Sequence, residues 1–232
     1  MTSLRPETLL GDLITADPSR TRILDRFGID YCCGGQRAVG AACAAADVDL
    51  DEFFAALSEA GPGTPAEWAG LGDAALIEHI VETHHGFLWA EFPRLAELVD
   101  KVARVHGPNH NELTTVREVF TKLRNGIEPH LRTEEDVLFP QISARAADQP
   151  IPAELRTGLQ QNMTEHDNAG ALLAQLHRLT DGYAVPADAC GSYQAMLAGL
   201  ADIESDLHMH VHKENNVLFP RVLATGSSNV ER

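Results

Sequence analysis

The chain has little of what most readily betrays a function. Of its 232 residues only four are cysteine, too few for a disulfide framework and in keeping with reduced thiols. No apolar run approaches the ~20 residues of a membrane span, so no membrane-spanning helix is expected. The first residues, MTSLRPETLLGD, hold an early Arg but no apolar stretch behind it. No signal peptide is therefore expected, and the location implied is cytoplasmic. Cations are scarce: 18 Lys and Arg face 34 Asp and Glu, for a formal charge of −16. Phosphate contacts need Lys and Arg, so nucleic acid is excluded as a partner. Strand signals are absent as well.

What is present is helix, core and histidine. Hydrophobic residues make up 44% of the chain, ample for a packed core, and eleven histidines raise the prospect of a metal site. The first sixty residues read as short pieces. PETLLGDLITAD is a short helix, Asp17-Pro18 restarts one as N-cap and first helical residue, and Gly28 ends it. DYCCGG is a loop, and QRAVGAACAAAD and LDEFFAALSEA are two further short helices. EAGPGTPAEW, Glu59 to Trp68, is dense in Gly and Pro and reads as a linker.

Four long helical patterns follow, near Asp73–Val105, Asn111–Arg145, Pro152–Thr180 and Pro186–Leu223. Short breaks between helices of this length favour antiparallel neighbours and an up-down four-helix bundle. Pro93 and Pro129 fall inside two of them and should kink them. The expected organisation is all-α: a small helical N-terminal domain over 1–60, a linker over 61–70, a bundle over 71–224 and a frayed tail over 225–232.

Two segments match each other across eighty residues: HLRTEEDVLFPQI from His130 and HVHKENNVLFPRV from His210. Both read H-x3-E-x2-VLFP. The second helix carries an apolar stripe Leu113, Val116, Phe120, Leu123, Ile127, His130, Glu134, Val137, and the fourth carries Met196, Leu200, Ile203, Leu207, His210, Glu214, Val217. Steps of three and four mark an inward face, so His and Glu occupy places where Leu or Val belongs. A lone buried carboxylate costs several kcal/mol; two of them, each one turn from a His, call for a shared cation. The third helix adds His166 on the stripe Leu155, Leu159, Met163, Gly170, Leu173. The first offers His84 and His85, and periodicity does not settle which.

Four His and two Glu, with no thiolate among them, suit iron or manganese and disfavour structural zinc. Six ligands are too many for one zinc and suit a metal pair. With bridging carboxylates and an oxo or hydroxo bridge, about one position per six-coordinate iron stays open for a small molecule such as O2 or NO. His79, His106, His110, His177, His208 and His212 are read as surface or supporting residues, and Glu135 points off the stripe.

These motifs resemble the RIC family, the di-iron "repair of iron centres" proteins, over nearly the whole chain. DYCCGG is similar to the signature of that family's ScdA-type N-terminal domain, and the remainder to its hemerythrin-like bundle. The resemblance implies six metal ligands: His130 and Glu134, His166 in EHDNAG, His210 and Glu214, and a first-helix ligand seven residues before Phe92 of FPRL, which is His85. The family often has Tyr before that ligand, where this chain has His84. It further implies two non-haem irons, oxo- or hydroxo-bridged, in a cytoplasmic stress protein. Such a protein restores iron–sulfur clusters damaged by nitric oxide or peroxide, by iron delivery or by reaction with NO. Damaged iron–sulfur proteins are then its partners, and a homodimer is compatible with the sequence. Whether it is an enzyme, with NO-reducing activity, is left open; the alternative is an O2- or NO-binding protein or sensor without turnover.

Cys32 and Cys33 are adjacent, so they form only a strained ring disulfide and chelate one metal poorly. Gly34-Gly35 are expected to lead into a helix near Gln36, whose N-terminus would lower the thiol pKa values and make the pair reactive accessory groups. Cys43 and Cys190 lie within helical patterns and are expected to pack.

Overall fold

The computed structural model describes residues 4–61, 63, 66–146 and 149–224. The tail over 225–232, and Pro62, Thr64 and Pro65 of the linker, lie outside the described residues. Four short helices come first: α1 Leu10–Ala16, α2 Thr21–Arg26, α3 Val39–Ala45 and α4 Leu50–Glu59. The long ones are α5 Asp73–Ile80, running through a π-helical turn into α6 Gly86–His106; α7 Glu112–Thr133, running through a π turn into α8 Phe139–Ala144; α9 Ala153–Leu179; and α10 Gly191–Lys213, running through a π turn into α11 Phe219–Ala224. No strand occurs among the described residues, only one isolated bridge between Leu9 and Ala38.

Contacts divide the chain into two compact units. One comprises 78–144 and 153–208, and it is the four-helix bundle. Its core joins Leu88, Phe92 and Leu95 of α6, Phe120 and Leu123 of α7, Leu173 of α9, and Met196 and Leu200 of α10. Neighbours run antiparallel. Lys101 bonds Ser192 while His84 bonds Asp206, and Leu138 lies beside Gly158 while His130 meets His166. Short turns leave the chain no other direction.

The other unit comprises 1–77, 145–152 and 209–232. Its core gathers Leu10, Ile14, Leu24, Tyr31, Val39, Phe53 and Leu57 around Val211 of α10. Asp17 caps the turn Pro18–Arg20 by accepting from the Ser19 N–H at 3.1 Å, as the Asp-Pro pair predicts. Gly28 ends α2 with a left-handed φ of 64°. Arg221 of α11 donates to the carbonyls of Leu71 and Ala69 at 2.7 and 2.9 Å.

Three expectations shift. Val137, expected inward, is 44% exposed, while Leu138 and Phe139 are buried. The cause is the π turn Glu134–Leu138, closed by the Phe139 N–H on the Glu134 carbonyl. One extra residue in a turn rotates the following side chains by roughly 100°. On α9 the buried residue is Asn162 rather than Met163. The fourth long helix starts at Gly191, five residues later than its pattern suggests, so Cys190 is exposed at its N-terminus instead of packed. Backbone N–H groups of Tyr193 and Ser192, with His106, bring that thiol down to about 7.

Candidate metal centre

Each long interrupted helix carries its π turn at the same chemistry. The turn Val81–His85 ends on His85; the turns Glu134–Leu138 and Glu214–Leu218 begin on the carboxylates. In the last two the VLFP sequence supplies the reason. Pro140 and Pro220 have no N–H to return to residues 136 and 216, and a wider turn just before them accommodates the ring.

Within the bundle unit four of the sequence-predicted ligands converge. Glu134 is fully buried, as are His85, His130 and His166. Its oxygens lie 3.4 Å from His85 Nε2, 3.3 Å from His130 Nε2 and 4.0 Å from His166 Nε2. His130 and His166 bring their Nε2 atoms to 3.0 Å of each other. His85 turns inward and its ring stacks on Phe139 at 5.7 Å. His84 turns elsewhere, with Nδ1 on Asp206 at 2.7 Å. In the other unit His210 Nε2 sits 2.9 Å from Glu214 Oε1, both buried.

The orientation of the imidazoles comes from residues that periodicity passes over. Glu135, set aside as off the stripe, accepts from His85 Nδ1 at 2.8 Å and from Trp89 Nε1 at 3.0 Å. Glu165 accepts from His130 Nδ1 at 2.9 Å. Burial pulls Glu165 upward, but the bonds from His130 and Gln161 hold its carboxyl below the usual value. A proton held on Nδ1 by a carboxylate leaves the lone pair on Nε2 facing inward, the tautomer a metal requires. The sequence signal for these partners was a Glu directly beside a predicted ligand, in EEDVL and in EHDNAG.

The donor set fits a cation of the iron type. Bonds of about 2.1 Å at right angles put neighbouring donors about 3 Å apart, and the observed separations among His130, His166, His85 and Glu134 lie at that scale. Imidazole lone pairs and a carboxylate packed so closely in a dry interior repel unless protons or a metal lie between them.

The cysteine loop differs from expectation. Cys32 is 5% exposed and Cys33 half-buried. The helix that follows begins at Val39, after Ala38, so neither thiol sits at a helix N-terminus. Both backbone N–H groups instead donate to Asp30 Oδ1, at 2.9 and 3.0 Å. The adjacent Cys33 sulfur, burial and the Asp30 carboxylate push the Cys32 thiol well above its ordinary pKa. The lowered pKa expected for this thiol is therefore overturned: a buried sulfur beside a carboxylate stays protonated.

His212, read as a surface or supporting residue, has no exposed surface. It lies against Thr15 Oγ1 at 3.2 Å and edge-on to the Tyr31 and Trp68 rings. Burial brings its pKa to about 4, so it is neutral.

An all-α bundle whose buried stripe is interrupted by His and Glu at π turns defines a hemerythrin-type metal protein. The comparisons agree. The Hemerythrin HHE cation binding domain matches residues 76–222, and a domain of unknown function (DUF542, the ScdA N-terminal domain) matches 7–61. The iron-sulfur cluster repair protein ScdA of Staphylococcus epidermidis is 30% identical over 220 residues, covering 93% of this chain and 98% of the relative. The iron-sulfur cluster repair proteins YtfE of Enterobacter sp. and of Salmonella paratyphi B are 32% and 33% identical, covering 93% of this chain and 96% of each. The chain therefore belongs to the family of hemerythrin-domain proteins with an ScdA-type N-terminal domain.

Proposed function

We propose that the chain is an iron–sulfur cluster repair protein acting on clusters damaged by nitrosative or oxidative stress. His85, His130, Glu134, His166, His210 and Glu214 hold two non-haem irons. The observation that carries the reading is Glu134, buried with three imidazole Nε2 atoms within 3.3–4.0 Å. The H-x3-E repeat extends the same donor pair to His210 and Glu214. The names of the relatives, each a cluster repair protein, supply the direction of the activity.

Bound iron supplies a redox-active centre for NO, or a store for delivery to an apo-cluster. The residues' own part is narrower. Glu135 and Glu165 hold protons on Nδ1 of His85 and His130, which keeps Nε2 available. The apolar wall of Leu88, Ile127, Leu131 and Leu207 limits water. Damaged iron–sulfur proteins of the cytoplasm are the targets, and NO or O2 the small ligands. No helix among the described residues is long and apolar enough to cross a membrane.

Metal analysis is the first test: about two irons per chain are expected, with loss in the Glu134→Ala and His130→Ala variants. The reduced protein is then mixed anaerobically with NO and assayed for N2O, and separately with a cluster-depleted ferredoxin and assayed for cluster recovery. Reversible gas binding with both assays blank would replace repair by carriage or sensing.

A further inference from the structure

The two copies of the repeat differ at one position whose chemistry is specific. Where the first copy has Asp136, exposed, the second has Asn216. Asn216 lies in the π turn Glu214–Leu218, two residues after the proposed ligand Glu214. Its Nδ2 donates to the carbonyls of Tyr31 and Cys32, at 3.2 and 2.9 Å. Its Oδ1 accepts from Gln36 Nε2 at 3.4 Å. A carboxylate could make neither of the first two bonds, because it has nothing to donate. The loop is shaped around this amide. A Cβ on Gly35 would stand 2.1–2.4 Å from the Asn216 amide, and one on Gly11 would stand 3.0 Å from Asn216 Cβ.

The Cys32 carbonyl that Asn216 holds belongs to the peptide joining Cys32 to Cys33. Chemistry that draws on both sulfurs works against that bond. The two sulfurs are 3.9 Å apart and a disulfide needs about 2.05 Å. The ring so formed contains this peptide, whose torsions must absorb the change. We infer that Asn216 is a positioning residue that clamps the Cys32-Cys33 peptide to the π turn carrying Glu214, so that the state of the thiol pair and the hold on iron are coupled. With the clamp engaged, the thiols stay apart and Glu214 stays in place. When two electrons and two protons pass from the thiols to a low-molecular-weight disulfide, which leaves as two thiols, the carbonyl turns away from Asn216 and the π turn loosens. The iron half of this inference rests on Glu214 being a ligand; the thiol half does not.

The test uses the full chain with Asn216→Asp, which keeps shape and removes the donor, and Gly35→Ala, which wedges the clamp open from the other side. Circular dichroism and melting verify that each is folded. In the metal-free protein, the rate of Cys32 and Cys33 reaction with dithionitrobenzoate, and of ring-disulfide formation with oxidised glutathione, is expected to rise about fivefold in both variants, the factor one lost hydrogen bond carries. In the iron-loaded protein, release to a ferrous chelator is expected to quicken in the variants. It should quicken in the wild type only after oxidation of the thiols. Unchanged thiol rates in both variants overturn the clamp. Faster thiols with unchanged iron release overturn the coupling. A wild-type chain that holds no iron overturns the ligand assignment instead, and is told apart because the thiol measurements are made without metal.

Discussion

The two copies of H-x3-E-x2-VLFP are nearly one sequence and occupy very different surroundings. After His130 come Leu131, buried, then Arg132 and Thr133, exposed; after Glu134 come Glu135, half-buried, Asp136 and Val137, exposed. After His210 the run Val211, His212, Lys213, Glu214, Asn215 is buried throughout, and Val217 with it. The first copy shows one face to its core and one to water. The second is covered all round, because the N-terminal helices pack on it within their unit: Val211 enters their core, His212 meets Thr15, and Lys213 Nζ stands over the Trp68 ring at 5.2 Å. The lesson is that the six matched positions, His, Glu and the four residues of VLFP, are those of the proposed ligands and the π turn. The unmatched positions between them record what covers the helix.

Experiment can test that contrast. The largest effect is expected where the copies agree. If the proposed two-iron site is right, His130→Ala and His210→Ala should each cut iron content from about two per chain to about one or less, since each removes one of few ligands. Metal analysis that finds one variant fully loaded would break the equivalence of the copies. The next is where they differ. His212→Ala should destabilise by about 2–4 kcal/mol, the usual cost of emptying a buried ring site. Arg132→Ala, at the matching position, loses only a cation–π contact with Trp89 and should cost below about 1 kcal/mol. Chemical denaturation followed by helicity measures both; equal costs would mean that coverage is not what separates the copies.

A smaller effect is expected from the supporting carboxylates. Glu135→Gln keeps the shape but weakens the hold on His85 Nδ1, and iron affinity should fall about 10- to 100-fold with little change in melting temperature. Competition with a chelator reads this directly. The smallest is a control outside both copies. His110 faces Asp188 at 3.1 Å and Glu112 at 3.1 Å, beside the His106 and Tyr193 rings. The Asp188 side chain raises its pKa, outweighing solvent loss, with Glu112 adding to the rise. The folded state therefore binds the proton more tightly. The added stability is fully present below the unfolded value of about 6.5 and fades as pH rises through the raised value. Melting of the wild type against His110→Gln should differ slightly at about pH 5.5 and not at about pH 8.5. A difference that persists at high pH would point to packing instead.

Much of this molecule was legible because its information is periodic. The stripes on the second and fourth helices, Leu113 to Glu134 and Met196 to Glu214, are buried along their length, since a helix turns by a constant angle and hydrophobic burial reads that angle. Reading failed where the angle changes or where contact is not periodic. The π turn at Glu134 rotated Val137 outward and Leu138 inward. Glu165 and Glu135 reach their histidines across helices, from flanks that a stripe does not describe. DYCCGG promised thiols activated by a helix start near Gln36; the helix begins at Val39, and Cys32 is buried against Asp30.

From the sequence alone come the helical class, the bundle and the placement of His and Glu at core positions. Each follows from composition and spacing along one helix, which are local quantities. Periodicity left His84 and His85 open and the family resemblance pointed to His85, which the fold turns toward Glu134; that π turns carry the carboxylates and that Asn216 grips the cysteine loop came from the tertiary structure alone. These depend on which side chains meet across tens or hundreds of residues, and the chain's local pattern holds no record of such meetings until packing brings them about.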